Sequence, residues 1–485
     1  MEIFFILAIP ALLAAGAFIF KSERVFGILN ASGYLAILFA SIILLQKSVS
    51  SGSVYSYLGF IYIDTLSAFF IFVISAVSFA TALYSVGYIK KDVAVGIISE
   101  KKAKVYYLLF NLFCLSMLFV PTVNNLGMLW VAIEMTTLIS AFLVGFYNTK
   151  KSVEAAWKYI IICSVGIIFA LLGTILFSYA FSLSGGTKSL NWSDMAAAAK
   201  RLDKNILKIA FVFILVGYGT KAGLAPMHTW LPDAHSQAVA PISALLSGVL
   251  LKTAIYAILR FGIIVIKCAG FQYFGNLMIL FGVISLAISC CFILVQKDLK
   301  RLLAYSSIEH IGIISIGFGL GTPLAIAGAL LHVFNHAIAK AFMFFGAGNI
   351  VSAYGKHNMT GIRGVIKALP FTGIMVLVGV FALTGFPPFS IFISEIMILV
   401  AAFKEGSYMV AGLLLLFLVV VFSAFIYHFA EMLFGKLPKD MAVTAEPLSG
   451  KFAFLFLFFQ ICALGVVLPF IKKDLVWIAQ RLFHG

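Results

Sequence analysis

Charged residues are scarce in this sequence: only 11% of its 485 residues are Asp, Glu, Lys or Arg, whereas 63% are apolar. A soluble domain usually contains about 25% charged and 45–50% apolar residues. So few polar residues cannot cover the surface of a globular protein of this length. The composition therefore predicts a polytopic membrane protein. It excludes a soluble enzyme, a nucleic-acid-binding protein and a small secreted module held by disulfides.

The sequence also lacks the cysteine pairs of a metal or iron–sulfur site. Its six cysteines lie within or at the ends of apolar runs, and none shows C-x-x-C spacing. Such cysteines are more simply interpreted as small apolar packing residues. We therefore expect no cofactor on this chain, and any redox chemistry must lie on another chain.

No soluble domain interrupts the apolar runs, and the largest polar stretch, 184–205, is predicted to be a loop. The net charge is +16, but most Lys and Arg residues occupy short loops between apolar runs. In a membrane protein this is an orientation signal rather than a surface for nucleic acid. The N-terminal run has no basic start and no small-residue cleavage signal, so we expect a retained first helix.

Long apolar runs dominate instead. A helix needs about 20 apolar residues to span a bilayer. On this measure the fold class is all-α, a polytopic membrane protein with about 14 transmembrane helices. The predicted segments are 2–20, 25–46, 62–89, 104–121, 123–147, 156–183, 206–230, 236–265, 272–295, 302–320, 323–352, 367–403, 408–434 and 452–471.

The basic residues predict the orientation of these segments. When the loops are numbered in order, the odd-numbered loops carry most of the Lys and Arg. This predicts that the odd loops are cytoplasmic and that both termini lie on the outer, periplasmic side of the cell (inner) membrane. The sixth loop is the main exception, because it contains Lys188, Lys200, Arg201, Lys204 and Lys208.

A weak internal repeat divides the chain. LVGYGTKAGLAP at 215–226 matches LVGVFALTGFPP at 377–388, and the match pairs Gly223 with Gly385. Two inverted five-helix repeats with broken helices would be typical of an ion or solute transporter; chance similarity between apolar segments is the alternative. The predicted parts are N-terminal helices 1–3 (1–103), a first repeat of helices 4–8 (104–265), a second repeat of helices 9–13 (266–434), and helix 14 with the tail (435–485).

Ionisable side chains inside the apolar segments are costly, roughly 2.5–3.5 kcal/mol each at the bilayer centre, so their default interpretation is functional. Glu134 lies in the middle of LWVAIEMTTLISAFLVGF, and Lys221 is its obvious partner in a later segment. Gly223 and Pro226 favour a break beside Lys221, where a freed carbonyl needs water. We interpret the two as a hydrated pair that exchanges protons. An ion pair that only holds helices together is the alternative.

Further cations and histidines extend this pattern. Lys252 lies about four turns into the next segment. His228 and His235 follow Lys221 at steps of seven, a spacing that favours one helical face, although a Pro-Asp pair interrupts it. We expect these groups to extend the path that begins at Lys221.

In the second half, HVFNHAIAK places His332, His336 and Lys340 at steps of four along one helical face. His pairs at this spacing can bind zinc, but no third ligand of the H-E-x-x-H kind is present, so metal is the weaker interpretation. A row of His residues ending in a Lys suits proton transfer, because His titrates near neutral pH. Glu309 and His310 are expected to supply the same path.

Three more ionisable residues lie near breaks or ends of segments. TGFPPFSIFISE breaks the segment 367–403 and presents Glu395 two turns after Pro388. Asp64 lies near the start of the third segment, where a solvated interfacial role is as good an interpretation as a functional one. Arg260 is expected to extend toward the lipid headgroups.

Seven stretches resemble the antiporter-like proton-pumping subunits that complex I, Mrp cation/proton antiporters and membrane-bound NiFe hydrogenases share. They are WVAIEMTTLISAFLVGF, EAAWKYIIICSVGIIFALLGT, GYGTKAGLAPMHTWLPDAHS, SALLSGVLLK, KRLLAYSSIEHIG, HVFNHAIAKAFMFFGAGNI and GFPPFSIFISE. The resemblance covers most of the chain. Within the family, WVAIEMTTL, WKYIIICSVG, YSSIEH and the Glu395 motif are most similar to the large antiporter-like subunit of hydrogenase-4 and formate hydrogenlyase complexes.

The resemblance implies that Glu134 and Lys221 form a coupled pair and that Glu395 is the exit-side group. It also implies a central hydrated axis, which would contain Lys252, His332, His336 and Lys340. The sequence departs from the family pattern at Gln237 and Val239, where a Glu and a Pro are usual. It also ends soon after its last segment, which argues against the largest complex I homologue with its long lateral helix.

Our hypothesis is a proton-translocating, antiporter-like membrane subunit of a multi-subunit redox-driven complex of the membrane-bound NiFe hydrogenase (hydrogenase-4) type. The expected partners are the lipid bilayer, neighbouring antiporter-like and small transmembrane subunits, and a peripheral hydrogenase or oxidoreductase arm, but no nucleic acid. The alternatives are an Mrp-type Na+/H+ antiporter subunit, a complex I antiporter-like subunit, an inert membrane anchor and a stand-alone substrate carrier.

Overall fold

The computed structural model describes residues 2–20, 22–51, 55–57, 59–185, 189–438, 441 and 443–463. These residues are predominantly helical, apart from one antiparallel hairpin of two short strands, β1 (Tyr55–Tyr57) and β2 (Ile61–Ile63). Helices dominate because a lipid-exposed backbone must satisfy its hydrogen bonds within its own segment. The prediction of a helical fold class is confirmed.

The helices are as follows. The first group is α1 (Glu2–Gly16), α2 (Glu23–Ser51), α3 (Thr65–Ala94), α4 (Glu100–Phe119), α5 (Leu126–Val144), α6 (Lys150–Leu183), α7 (Trp192–Ala198), α8 (Lys204–Ala222), α9 (Trp230–Gln237), α10 (Ala240–Leu245) and α11 (Leu251–Ala269). The second group is α12 (Phe271–Val295), α13 (Leu299–Leu320), α14 (Pro323–Tyr354), α15 (Val365–Ala368), α16 (Pro370–Leu383), α17 (Ser390–Lys404), α18 (Tyr408–Phe434) and α19 (Leu448–Ala463).

Within the described residues, eleven helices are long and apolar enough to cross a membrane, when α10, a π-type turn at Leu246–Leu250 and α11 are counted as one. Three shorter apolar helices are α1, α16 and α19. The protein is therefore a multi-span membrane protein, as predicted, whereas the number of 14 crossings stays a prediction. The last predicted segment, 452–471, extends beyond residue 463 and lies partly outside the described residues.

Two of the predicted segments are interrupted. The segment 206–230 is divided because α8 ends at Ala222 and Gly223 adopts a left-handed conformation with φ of +80°. The segment 367–403 is divided at Gly385, with φ of +66°, and α17 starts at Ser390. Glycine is favoured at both positions because it has no Cβ to oppose a positive φ. The sequence match had paired these two glycines.

The odd-numbered loops of the predicted topology contact one another and form what we call the odd-loop face. Arg301, just after the ninth loop, pairs with Asp233 of the seventh at 3.1 Å. The Tyr147 hydroxyl, next to the fifth loop, donates to Asp92 next to the third at 2.7 Å. These contacts agree with segments that alternate in direction across a bilayer.

The even-numbered loops likewise contact one another and form the even-loop face. Asn125, after the fourth loop, forms a β-bridge with Asn191 in the sixth. The Cys268 thiol, beside the eighth loop, donates to the carbonyl of Leu202 in the sixth at 3.2 Å. The basic sixth loop is therefore fixed against other even loops, despite its charge.

Arg260 is buried, with only 3% of its side chain exposed. Its guanidinium donates to both carboxylate oxygens of Asp64 at 2.6 and 2.7 Å, and it lies 4.5 Å from the centroid of the Trp192 ring. A planar guanidinium suits such a site because it can bond a carboxylate bidentately and stack on an aromatic face. The expectation that Arg260 extends to the headgroups is wrong, because Asp64 provides a buried partner from a distant part of the chain.

We expect Arg260→Ala to lower the midpoint of thermal unfolding of the detergent-solubilised protein. The variant leaves the Asp64 carboxylate in its site without its charge partner, and breaking a buried ion pair in this way costs about 3–5 kcal/mol. Arg201→Ala, at an exposed position, is the control and should leave the midpoint unchanged. An unchanged midpoint for Arg260→Ala would contradict the assigned role of the pair.

Candidate functional site

Lys221 lies in the last turn of α8, directly before the break at Gly223, and is fully buried. Its ammonium donates to the Thr137 hydroxyl on α5 at 2.5 Å and to the Tyr159 hydroxyl on α6 at 2.8 Å. The Tyr159 ring centroid lies 5.0 Å from the ammonium, within the range of a cation–π interaction. Three helices therefore hold this lysine by neutral groups.

Glu134 and Lys221 do not form a direct ion pair in the described structure. Glu134 accepts a hydrogen bond from the Ser164 hydroxyl at 3.1 Å, and its second carboxylate oxygen is buried without a partner. Glu134 and Thr137 lie one turn apart on α5 and therefore share a face. The expected contact between the two charges is replaced by an arrangement in which Thr137 and Tyr159 carry the hydrogen bonds of Lys221.

His228 and His235 do not continue the helical face of Lys221, as their spacing predicted, because α8 ends before either residue. His228 lies in the connection between α8 and α9, and its ring centroid is 6.4 Å from that of Tyr305. His235 lies on α9, and neither of its buried ring nitrogens has a partner. His235 is therefore free to accept or donate a proton.

Lys252 lies near the start of α11 and is 1% exposed. Its ammonium donates to the backbone carbonyl of Ser247, at 2.5 Å, in the π-type turn that precedes α11. The Ser247 hydroxyl is 2.7 Å from the hydroxyl of Ser307 on α13. A π-type turn inside a helix is frequent at functional sites, and here it connects Lys252 to the second half of the chain.

Lys340 lies in α14 and is fully buried. It donates to the Leu303 carbonyl at 2.9 Å and to the Ser306 hydroxyl, both on α13. Glu309, one turn further along α13, is 2% exposed and interacts electrostatically with Lys340. The buried ammonium of Lys340 and the carboxyl of Glu309 therefore lie on facing helices.

Three histidines form a cluster between α13 and α14. A hydrogen bond of 2.9 Å joins His310 Nδ1 to His332 Nε2, and the His310 and His336 ring centroids are 4.6 Å apart. The other ring nitrogen of His332 is 2.9 Å from the Ser394 hydroxyl on α17. The row predicted along α14 is thus joined by His310 and extended to α17.

Glu395 lies in the second turn of α17, is 5% exposed and has one buried carboxylate oxygen without a partner. Its carboxylate packs against Gly385 in the break before α17, at a position that a Cβ on Gly385 would occupy. Gly385 therefore has two reasons to be glycine, its positive φ and this close approach. The broken helix thereby positions Glu395 beside the histidine cluster.

We expect Gly385→Ala to reduce proton transport by at least about tenfold, an energy of about 1.4 kcal/mol, because the new methyl group displaces the Glu395 carboxylate. The measurement is proton uptake by membrane vesicles that contain the complete complex. Gly406→Ala is the matched control, since Gly406 has φ of +70° but open space around its Cβ position. Equal losses in the two variants would attribute the effect to backbone strain and contradict the positioning role.

Three ionisable side chains of this region bring possible metal ligands together. Ligand atoms of His310, His332 and Glu395 all lie within 4.8 Å of one another, a grouping from three helices that sequence spacing does not reveal. The direct hydrogen bond between the two imidazoles already uses one nitrogen of each. Lys340 and Lys252 also interact electrostatically with His310, and these positive charges disfavour a cation. The arrangement suits a hydrogen-bonded chain better than a metal centre.

Sequence reasoning missed the hydroxyl groups of the site, Thr137, Tyr159, Ser306 and Ser394. Two signals were available, because Thr137 lies one turn after Glu134 and Ser394 directly precedes Glu395. Tyr159 had no such signal, since only the packing of α6 against α8 brings it to Lys221. These hydroxyls matter because each can accept one proton and donate another.

Two family models match the chain. Residues 123–426 match the family described as NADH:quinone oxidoreductase/Mrp antiporter, transmembrane. The chain belongs to this family. Residues 50–96 also match the family of the N-terminus of NADH-ubiquinone oxidoreductase (complex I) chain 5. The predicted resemblance to antiporter-like subunits is confirmed.

Two curated relatives of this family member carry hydrogenase-4 names. A hydrogenase-4 component F homolog of Methylacidiphilum infernorum is 37% identical over 88% of this chain and 88% of its own length. Hydrogenase-4 component B of Escherichia coli is 33% identical over 68% of this chain, which spans only 49% of that longer protein. The family member is thus an antiporter-like subunit with relatives of the predicted hydrogenase-4 type.

Solved structures have the same fold as this antiporter-like subunit. A chain of the membrane-bound sulfane sulfur reductase, an archaeal respiratory membrane complex, superposes with a TM-score of 0.85 at 25% identity and covers 100% of this chain and 98% of its own. A chain of the Mrp complex from Dietzia superposes with a TM-score of 0.87 at 20% identity and covers 99% and 97%. At the latter identity the similarity concerns the fold alone.

Proposed function

We propose that this antiporter-like subunit translocates protons across the cell membrane. The observation that supports the proposal most strongly is the chain of buried groups in the second half. His310, His332 and Ser394 are joined by hydrogen bonds of 2.9 Å, and Glu395 follows Ser394 directly. Such a chain can pass a proton because each imidazole and hydroxyl both accepts and donates.

The first half carries the complementary element of the proposal, a lysine beside a break. Lys221 holds its proton through Thr137 and Tyr159, with Glu134 as the nearby carboxylate. In this proposal Glu134 and Lys221 are the coupled pair, as the family resemblance implies. Movement of the Glu134 carboxylate relative to Lys221 changes how firmly the ammonium retains its proton, because the opposite charge stabilises the charged form.

The lysines and histidines between the halves form the proposed central axis. Lys252 and Lys340 interact electrostatically, and both affect His310, His336 and His235. A proton that arrives on one of these cations therefore repels the next one along the axis. Moving one charge against a membrane potential of 100 mV requires about 2.3 kcal/mol, an energy that an outside redox reaction would have to supply.

Glu309 and Glu395 complete the proposed path. Glu309 interacts with Lys340 from α13, and Glu395 serves as the exit-side group behind the break at Gly385. His228 lies beside the path, at the mouth of the connection between α8 and α9. A path of this kind needs groups on both sides of each break, and it agrees with two inverted repeats at 104–265 and 266–434, followed by the C-terminal part 435–485.

We infer that the subunit works within a redox-driven complex of the membrane-bound NiFe hydrogenase (hydrogenase-4) type. Two relatives named as hydrogenase-4 components support this inference. The partners would be neighbouring antiporter-like and small transmembrane subunits and a peripheral hydrogenase arm, in the cell (inner) membrane with both chain termini on the outer side. An Mrp-type role has a specific observation in its favour, since an Na(+)/H(+) antiporter protein of Alkalihalophilus pseudofirmus is 32% identical over 68% of this chain and 67% of its own length.

Two measurements test the proposed function. Affinity purification of the chain from native membranes should recover the subunits of a NiFe hydrogenase; recovery of small antiporter proteins without a redox enzyme would favour the Mrp-type role. Inverted vesicles from the same membranes should acidify internally when the redox reaction starts, without any need for Na+. Redox turnover without proton uptake would contradict the proposal.

A further inference from the structure

A buried lysine lies outside the path described so far. Lys300 is in the first turn of α13 at the odd-loop face and is 3% exposed. Its ammonium donates to the backbone carbonyl of Ala238 at 2.8 Å. Among the described residues it forms no ion pair, and Asp298, two residues earlier, instead caps the backbone of Arg301. An ammonium that is buried without a carboxylate in contact is costly, so its retention calls for a reason.

The carbonyl that Lys300 binds connects it to His235. Ala238 directly follows α9, and His235 lies three residues earlier on that helix. His235 is fully buried, its ring lies 5.3 Å from that of Phe344, and neither of its ring nitrogens has a partner. It interacts electrostatically with Lys300 and also with the central lysines. His235 is therefore placed between the odd-loop face and the central axis.

Polar groups also connect Lys300 to the odd-loop surface. Asp92 of α3 interacts with it electrostatically and accepts the hydroxyl hydrogen of Tyr147. His357, whose side chain is 42% exposed, lies in the loop after α14. Burial and the positive charge of Lys300 lower the pKa of His357 below its ordinary value, so its imidazole is neutral near pH 7 and can accept a proton. The charged and titratable groups around Lys300 are thus Asp92, His235, Asp298 and His357.

We propose that Lys300 is a proton-loading residue, which takes protons from the odd-loop side and passes them to His235. The step breaks one N–H bond of the ammonium and forms one at an unpartnered ring nitrogen of His235. The neutral amine then regains a proton from solvent at the odd-loop face, so the step needs no oxidant or reductant. This inference rests on the proposed function, because it supplies the entry to the same proton path.

A purely structural role for Lys300 makes a different prediction. As the charge at the C-terminal end of α9, Lys300 also stabilises that helix. Arginine at position 300 preserves the charge and the donor to Ala238, but it does not release its proton in a protein. Histidine is shorter and a weaker helix cap, yet it titrates near neutral pH and can release a proton.

The test compares Lys300→Arg with Lys300→His in inverted vesicles that contain the complete complex. Proton uptake should fall at least about tenfold in Lys300→Arg and should recover in part in Lys300→His, increasingly so near the pH at which histidine titrates. Lys297→Arg and Lys297→His, at an exposed position three residues earlier, are the controls and should transport like the wild type.

The outcome of the comparison separates the interpretations. Transport by Lys300→Arg that equals or exceeds that of Lys300→His would overturn the proposal and leave only the structural role. If Lys300→Arg fails to assemble on a native gel, Lys300→Gln replaces it, and wild-type transport by that variant would equally overturn the proposal. Absence of proton uptake in the wild type would instead overturn the proposed function.

Discussion

Lys221→Met should reduce proton uptake by the assembled complex to less than about a tenth of the wild-type rate. Methionine has a similar length and fills the buried site, but it carries no proton. Thr137 and Tyr159 would lose the donor that they share, and Glu134 would lose the cation in its vicinity. The measurement is fluorescence quenching of a pH-sensitive dye in inverted vesicles, with the amount of assembled complex determined on native gels.

Lys204→Met provides the control for this variant, because Lys204 begins the same helix but is exposed at the even-loop face. It should transport at the wild-type rate. Normal assembly and normal transport by Lys221→Met would support the inert-anchor alternative. Loss of assembly would be separated by Tyr159→Phe, which keeps the aromatic packing but removes one acceptor of Lys221 and should lower the rate more mildly.

His332→Phe should have an effect of similar size on the second half. Phenylalanine keeps a planar ring in the cluster but removes both nitrogens, so the hydrogen bonds to His310 and to Ser394 are lost together. Each buried group left without a partner costs about 1–3 kcal/mol. We expect proton uptake to fall at least about tenfold, measured in the same vesicles at equal amounts of complex.

His428→Phe is the matched control, since His428 lies on α18 and bonds only the backbone carbonyl of Ile293 at 2.9 Å in the described structure. It should leave transport unchanged. If His332→Phe transports protons at the wild-type rate, the hydrogen-bonded chain is not the route. If both variants lose transport equally, a general loss of packing is the better explanation.

The sequence was informative wherever a local property determines the outcome. Apolar length alone predicted most of the helices, because the bilayer core sets that length. Gly223 and Gly385 marked the two breaks, because few other residues tolerate the left-handed conformation found there. The buried charges were conspicuous because apolar segments so rarely contain them.

Contacts between distant segments were beyond the reach of the sequence. The Asp64 partner of Arg260 and the Tyr159 partner of Lys221 depend on how helices rotate about their axes. One such rotation also separates Glu134 from a direct ion pair with Lys221. Periodicity reports which residues share a face of one helix, but it does not report which face meets which neighbour.

The number of protons translocated per electron tests the central claim most directly. It can be measured in inverted vesicles containing the intact complex, by a pH electrode after a limited pulse of the redox substrate. The account predicts that the ratio is lower in Lys340→Met than in the wild type, because Lys340 joins the central axis to Glu309 and the histidine cluster. An identical ratio in a fully assembled Lys340→Met complex would contradict the account.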